Sequence, residues 1–162
     1  MRENQSPSQS NESPIFIFYE QTTHFTRYDI IDRILKSLNE FHNNYIAIYI
    51  IEYPDKLESR VCGKFNCINI KTYGLDSLVK ILYRPLDRCE EILVLNETGL
   101  KDLLKLCSSK CFLLGLHRTS DLGKLVSVTN KSFKIISLGK ISYLTSQCVG
   151  IIGYLDKILC ED

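Results

Sequence analysis

The segment FTRYDIIDRIL places Arg27, Asp29 and Arg33 within seven residues. Asp29 and Arg33 stand four apart, so on a helix they share one face. A carboxylate in that position can accept or orient a proton, and the two arginines can hold phosphate. The same spacing also makes an ordinary solvated ion pair. The residues alone leave both readings open. A second set of candidates lies where apolar, strand-like runs end. LNETG (95–99), LGLHRTSDLG (114–123) and SLGKIS (137–142) each contain a glycine. Glycine lets a ligand approach the backbone closely. Gly115 and Gly139 could equally be plain strand-ending turns. His117 could touch RNA or be an ordinary loop histidine. Neither G-x-G-x-x-G nor G-x-x-x-x-G-K-[ST] occurs, so the usual nicotinamide and nucleoside triphosphate sites are unsupported.

Seven cysteines and three histidines are the soft ligands available. No C-x-x-C pair exists, so no metal site is expected. The cysteine count is odd, and MRENQSPSQSNESP lacks the apolar core of a secretory signal. Reduced thiols in the cytoplasm, packed as small hydrophobes, are the expectation. Cys148 has two readings, contact with a cofactor or simple packing. Nothing near it in sequence would activate a thiolate.

These residues need a scaffold, and the chain supplies one. Its 162 residues are 44% hydrophobic and 24% charged, enough for a single core. A polar tail, 1–13, is expected to be disordered, and 14–162 to form one domain. No apolar run reaches the roughly 20 residues of a membrane span. Residues 1–60 carry 6 basic and 9 acidic side chains, and the remainder 14 and 10. Nucleic-acid binding would therefore need a local patch or two patches joined in a dimer.

Apolar residues at helical spacing predict a helix over 26–42, with others at LDSLVKILYR, GLKDLLKLCSS and 142–159. SPIFIFYE, NNYIAIYIIEY, KCFLLGLH and FKIISLG read as strands, EEILVLNETG as a strand and turn, with short strands near 60–62 and 67–71. A polar stretch separates His117 from the last strand. This alternation predicts an α/β domain with a mostly parallel sheet flanked by helices. Ligands in such sheets bind at the carboxyl ends of the strands.

LVLNETG, FLLGLHRTSDL and ISLGKISYLTSQCVGIIGYLDK, in that order, resemble the cofactor-binding half of the SPOUT RNA methyltransferases. The resemblance is nearest to the archaeal tRNA pseudouridine N1-methyltransferase family. That family has a segment like SLGPLSLLASHC, matched here by Ser137 to Cys148, then an apolar helix with Leu155-Asp156-Lys157. Its Leu-Gly-Asp-His appears as Leu114-Gly115-Leu116-His117. Its Arg-x-Asp with a second arginine four residues on appears as Arg27, Asp29 and Arg33. The matches run from about residue 15 to the end, with a shortened middle. Lys140 stands for a proline, Gln147 for a histidine and Leu116 for an aspartate.

The resemblance implies a deep C-terminal trefoil knot, a homodimer formed through it, and S-adenosylmethionine (SAM) as cofactor. It assigns cofactor contacts to Leu95, Gly115, Ser137, Leu138, Gly139, Ile141, Ser142, Tyr143 and Cys148. It gives Asp29, Arg27 and Arg33 the catalytic and RNA-holding roles. The implied reaction is methylation of N1 of pseudouridine in the T-arm of tRNA, with ribosomal RNA as a sibling substrate. The departures at Leu116 and Gln147 support a second reading, a SPOUT-like RNA-binding or assembly protein without catalysis.

Overall fold

The computed structural model describes residues 13–22, 28–72, 74–81, 86–108, 110–115, 122–138 and 144–160. Seven strands form one sheet: β1 (Ile15–Gln21), β2 (Ile46–Glu52), β3 (Leu57–Cys62), β4 (Cys67–Thr72), β5 (Glu91–Leu100), β6 (Cys111–Gly115) and β7 (Ser132–Ile136). Their order is β4-β3-β2-β1-β6-β5-β7. The strands from β2 to β7 in that order run parallel, and β3 and β4 add an antiparallel hairpin at one edge. β1 lies in the middle, and its first six residues are all buried. A continuous apolar run, rather than an alternating one, is what a strand covered on both faces requires.

Helices α1 (Tyr28–Phe41), α2 (Leu75–Ile81), α3 (Lys105–Ser108), α4 (Leu122–Thr129) and α5 (Thr145–Leu155) complete the described chain, followed by a π-helical turn, Asp156–Cys160. On one face Phe16, Phe18, Tyr49 and Phe112 pack under α1 and α5. Phe16–Phe112 and Phe18–Tyr49 stack at 5.1 Å between centroids. Ile31, Ile34 and Leu38 recur every three to four residues along α1 and are buried. On the other face Ile15, Ile17, Ile48 and Leu113 pack under α2 and α4. Asn130, with φ 57°, ends α4 in the left-handed conformation that asparagine tolerates.

The sheet and its flanking helices match the expected α/β class. Several elements differ. The polar stretch after His117 contains α4, whose Leu122, Leu125 and Val126 face the core. The helix expected in GLKDLLKLCSS shrinks to the four residues of α3, and β5 runs through LNETG to Leu100. Pairing of β5 with β7 jumps in register between Leu95 and Leu100, both opposite Ile136. A Cβ on Gly99 would lie 2.7 Å from the backbone carbon of Ile135, so only glycine fits there. The expected knot of the C-terminal strands and helix depends on the path of their connections, and residues 116–121 and 139–143 of these lie outside the described residues.

The reduced-thiol expectation is corrected. Cys62–Cys67, Cys89–Cys111 and Cys107–Cys160 are disulfides, leaving Cys148 as the free thiol. The fold brings each pair together: the first closes the β3–β4 hairpin, and the last ties the chain end to α3. Among the described residues no cluster of histidine, cysteine and carboxylate could hold a metal, and no helix is long and apolar enough to cross a membrane.

Candidate functional site

The carboxyl ends of β5, β6 and β7 converge with the start of α5. Leu95 and Leu100 of β5 both lie opposite Ile136, the last residue of β7, so the bulged end of β5 sits level with the end of β7. Ser137, the next residue, is 3% exposed, and Leu95 and Leu138 are half-buried against the aromatic core. Gly115 ends β6 opposite Tyr19 of β1. Its carbonyl accepts a hydrogen bond from Thr145 Oγ1 at 2.5 Å, which anchors the first turn of α5 at the sheet's carboxyl edge.

That first turn is held locally as well. Gln147 Oε1 accepts the Leu144 backbone N–H at 2.8 Å. Leu144 precedes the helix, so this bond satisfies one of the donors that a helix start leaves unpaired. Gln147, which departs from the resembled family, thus has a structural task here. Cys148 Sγ is half-buried, and burial pushes the thiol pKa up to about 11. A thiol so far from ionisation is not a nucleophile at neutral pH.

At the glycines of α5 a close approach is made by the protein itself. A Cβ on Gly150 would lie 3.1 Å from the Phe41 ring, and one on Gly153 would lie 2.8 Å from the Phe41 carbonyl oxygen. Ser37 Oγ donates to the Ser146 carbonyl at 2.8 Å. His42 Nε2 lies 3.1 Å from the Val149 carbonyl and edge-on to Phe16. Desolvation by burial holds the His42 pKa below its ordinary value, against the opposing pull of the Val149 bond and Asp156. Helices α1 and α5 therefore pack side by side, backbone close to backbone.

Asp29 and Arg33 are exposed on α1. Arg33 lines a groove of about 600 Å³ between α1 and α5, together with Lys36, Glu40, Ser146, Gln147 and Tyr154. Of the sequence candidates, Leu95, Gly115, Ser137, Leu138 and Cys148 lie at or beside the strand ends. Arg27, Gly139, Ile141, Ser142 and Tyr143 lie outside the described residues, as does His117. The sequence reading missed a charged cluster at the same edge of the sheet. Tyr19 Oη donates to Glu52, and Lys124 Nζ pairs with Glu52 Oε2 at 3.0 Å. Burial would raise the Glu52 pKa, but the bonds from Tyr19 and Lys124 outweigh it and the net shift is downward. The signal was present in FYEQ and IIEY, where a carboxylate ends an apolar strand.

An open, mostly parallel α/β sheet with glycine and polar backbone at its carboxyl edge is a ligand-binding arrangement. Among solved structures the same fold is found in Archaeoglobus fulgidus Nep1 bound to S-adenosylhomocysteine, with a TM-score of 0.52. The match covers 82% of this chain and 71% of that one at 13% sequence identity. No protein-family model and no curated protein sequence matches this chain.

Proposed function

We propose that this chain is a SAM-dependent RNA methyltransferase acting on N1 of pseudouridine in the T-arm of tRNA. The observation that carries this reading is the fold shared with a protein bound to S-adenosylhomocysteine, the compound left when SAM gives up its methyl group. The residues present suit such a cofactor. Leu95 and Leu138 offer half-buried apolar walls for an adenine ring. Gly115 and Gly139 leave room for close approach to the backbone. Ser137, Ile141, Ser142, Tyr143 and Cys148 complete the proposed contacts.

When bound, SAM supplies a methyl group already activated by its sulfonium, so the protein's main task is positioning. Pseudouridine carries an N1–H that must be lost. In this reading Asp29 accepts or orients that proton. Arg27 and Arg33 hold the phosphate backbone nearby. Exposed Leu144, Tyr154 and Ile158, of which Tyr154 lines the α1–α5 groove, would provide an apolar face for the proposed homodimer through the knot. A tRNA substrate places the protein in the cytoplasm. Intracellular proteins rich in disulfides are characteristic of hyperthermophiles, so this reading also predicts unusual thermal stability.

Calorimetric titration with SAM and S-adenosylhomocysteine tests the cofactor site. One saturable site per chain supports it, and methyl transfer to tRNA with and without pseudouridine then tests the substrate. Asp29→Ala should lower turnover about 100-fold with SAM affinity unchanged. Replacing Gly139 by leucine should abolish SAM binding in a folded protein. No binding at millimolar ligand would transfer support to an RNA-binding protein without catalysis. That second reading draws on Gln147, whose carbonyl oxygen is committed to capping α5.

A further inference from the structure

The hairpin edge of the sheet borders a partly open cavity that the methyl-transfer reading does not use. Tyr49, Arg60 and Asn69 lie side by side across β2, β3 and β4, and Ile51, Glu58 and Lys71 form the next row. These two rows and Ile31 of α1 line a cavity of about 130 Å³. Tyr49 is 1% exposed, yet its hydroxyl has no hydrogen-bond partner among the described residues. Buried hydroxyls are nearly always paired, so an orphan one on a residue that lines a cavity points to a missing ligand group. Arg60 Nε donates to Asn69 Oδ1 at 3.1 Å, which fixes the amide and leaves its N–H₂ as a donor.

The lining has the chemistry of a base slot. Ile31 and Ile51 provide apolar walls for a flat ring. The Tyr49 hydroxyl, Arg60 guanidinium and Asn69 amide provide an edge with donors and an acceptor. The volume equals roughly four waters' share of the liquid, enough for one ring and too small for a large ligand. Glu58 on the wall disfavours a phosphate inside. Phosphates would meet Lys71 at the cavity's exposed rim and Lys64 beyond it instead. Residues 57–72 carry one acid, Glu58, and three bases, Arg60, Lys64 and Lys71. Phe65 stands 92% exposed at the hairpin tip beside Lys64, and the Cys62–Cys67 bond clamps that tip. An aromatic among cations on a rigid tip is a stacking platform for single-stranded RNA.

We propose that this cavity takes one unpaired nucleobase of an RNA strand, while the hairpin tip holds the strand beside it. The inference rests on the RNA reading above and adds a second contact point. Ile31 lies two residues from Asp29 on α1, about 3 Å along the helix axis, so the slot and Asp29 are near the same end of that helix.

The test uses the full chain and a fluorescein-labelled 12-mer of oligouridine, read by anisotropy. A 4-thiouridine version, cross-linked and peptide-mapped, locates the contact. Tyr49→Phe removes only the orphan oxygen and should weaken binding about fivefold. Arg60→Ala should weaken it about tenfold, and Lys71→Ala should lower the salt dependence by about one unit of slope. SAM affinity should not change in any of them. Wild-type RNA affinity in both Tyr49→Phe and Arg60→Ala would mean that water fills the cavity, and would overturn the proposal. So would cross-links confined to peptides outside 49–71. SAM binding with cross-links elsewhere would sink the slot alone. Cross-links to 49–71 without SAM binding would keep the slot and sink the methyltransferase.

Discussion

Gly153 offers the sharpest test of how α1 and α5 meet. Alanine there would put its methyl group 2.8 Å from the Phe41 carbonyl oxygen, 2.9 Å from Phe41 Cβ and 3.0 Å from His42 Nε2. Two of these three atoms belong to the end of α1, where backbone and Cβ cannot rotate away. Overpacking of this kind costs about 1–3 kcal/mol, and a rigid neighbour places Gly153→Ala at the upper end. Alanine in a helix recovers about 1 kcal/mol over glycine. The net loss is about 2 kcal/mol, or a Tm lower by roughly 4–8 °C in a domain of this size. Gly150→Ala is the control. Its new methyl would meet the Phe41 ring at 3.1 and 3.2 Å, and a ring can turn. Cost and propensity gain there should cancel, leaving Tm within about 2 °C of wild type. Differential scanning calorimetry of the two variants decides the matter. Equal stability of Gly153→Ala and wild type, or a larger loss at Gly150, would refute the close backbone packing.

Three further outcomes can be checked. Loop-closure entropy ranks the disulfides by separation: removal as serine pairs should cost about 4 kcal/mol for Cys107–Cys160, about 3 for Cys89–Cys111 and about 2 for Cys62–Cys67. Denaturant titration measures the order, and non-reducing peptide mapping verifies the linkages. His42 has a folded pKa below its unfolded value, so the unfolded state binds the extra proton between the two. Stability from this group is complete above about pH 6.5 and declines as pH falls through the lowered value. His42→Gln should flatten the fall in Tm between about pH 7 and pH 5. Iodoacetamide at pH 8 should leave Cys148 unmodified in the native protein and alkylate it in denaturant, because burial keeps the thiol protonated.

What the sequence revealed depended on how local each signal was. Helix α1 was legible because Ile31, Ile34 and Leu38 repeat within the element itself. β1 and β2 were legible as unbroken apolar runs. The short strands near 60–62 and 67–71 were legible, but their antiparallel pairing as a hairpin was not. Helix α4 was obscured by the polar residues before it, although Leu122, Leu125 and Val126 have helical spacing. β5 was cut short because Asn96 to Gly99 read as a turn, and only the closeness of Ile135 explains glycine there. The disulfides were illegible for a different reason. Cys107 and Cys160 are 53 residues apart, and no local pattern records that the fold joins them. At the candidate site the strand ends were anticipated. The Gly115–Thr145 bond and the Glu52 cluster, which depend on the three-dimensional path, were not.

The place of β1 has a consequence for how the protein is made. β1 is synthesised first and sits in the centre of the sheet, between β2 and β6. Its pairing with β2 is available after about 30 residues, but its other edge waits for Cys111–Gly115. At a typical elongation rate of about 5–20 residues per second, the intervening chain takes roughly 5–20 s to appear. During that interval an apolar strand has one edge open, a form prone to pairing with other chains. The closure of so long a loop also slows refolding of the finished chain. Nascent chains truncated before residue 111 should therefore aggregate or recruit chaperones, and release from that state should coincide with emergence of β6.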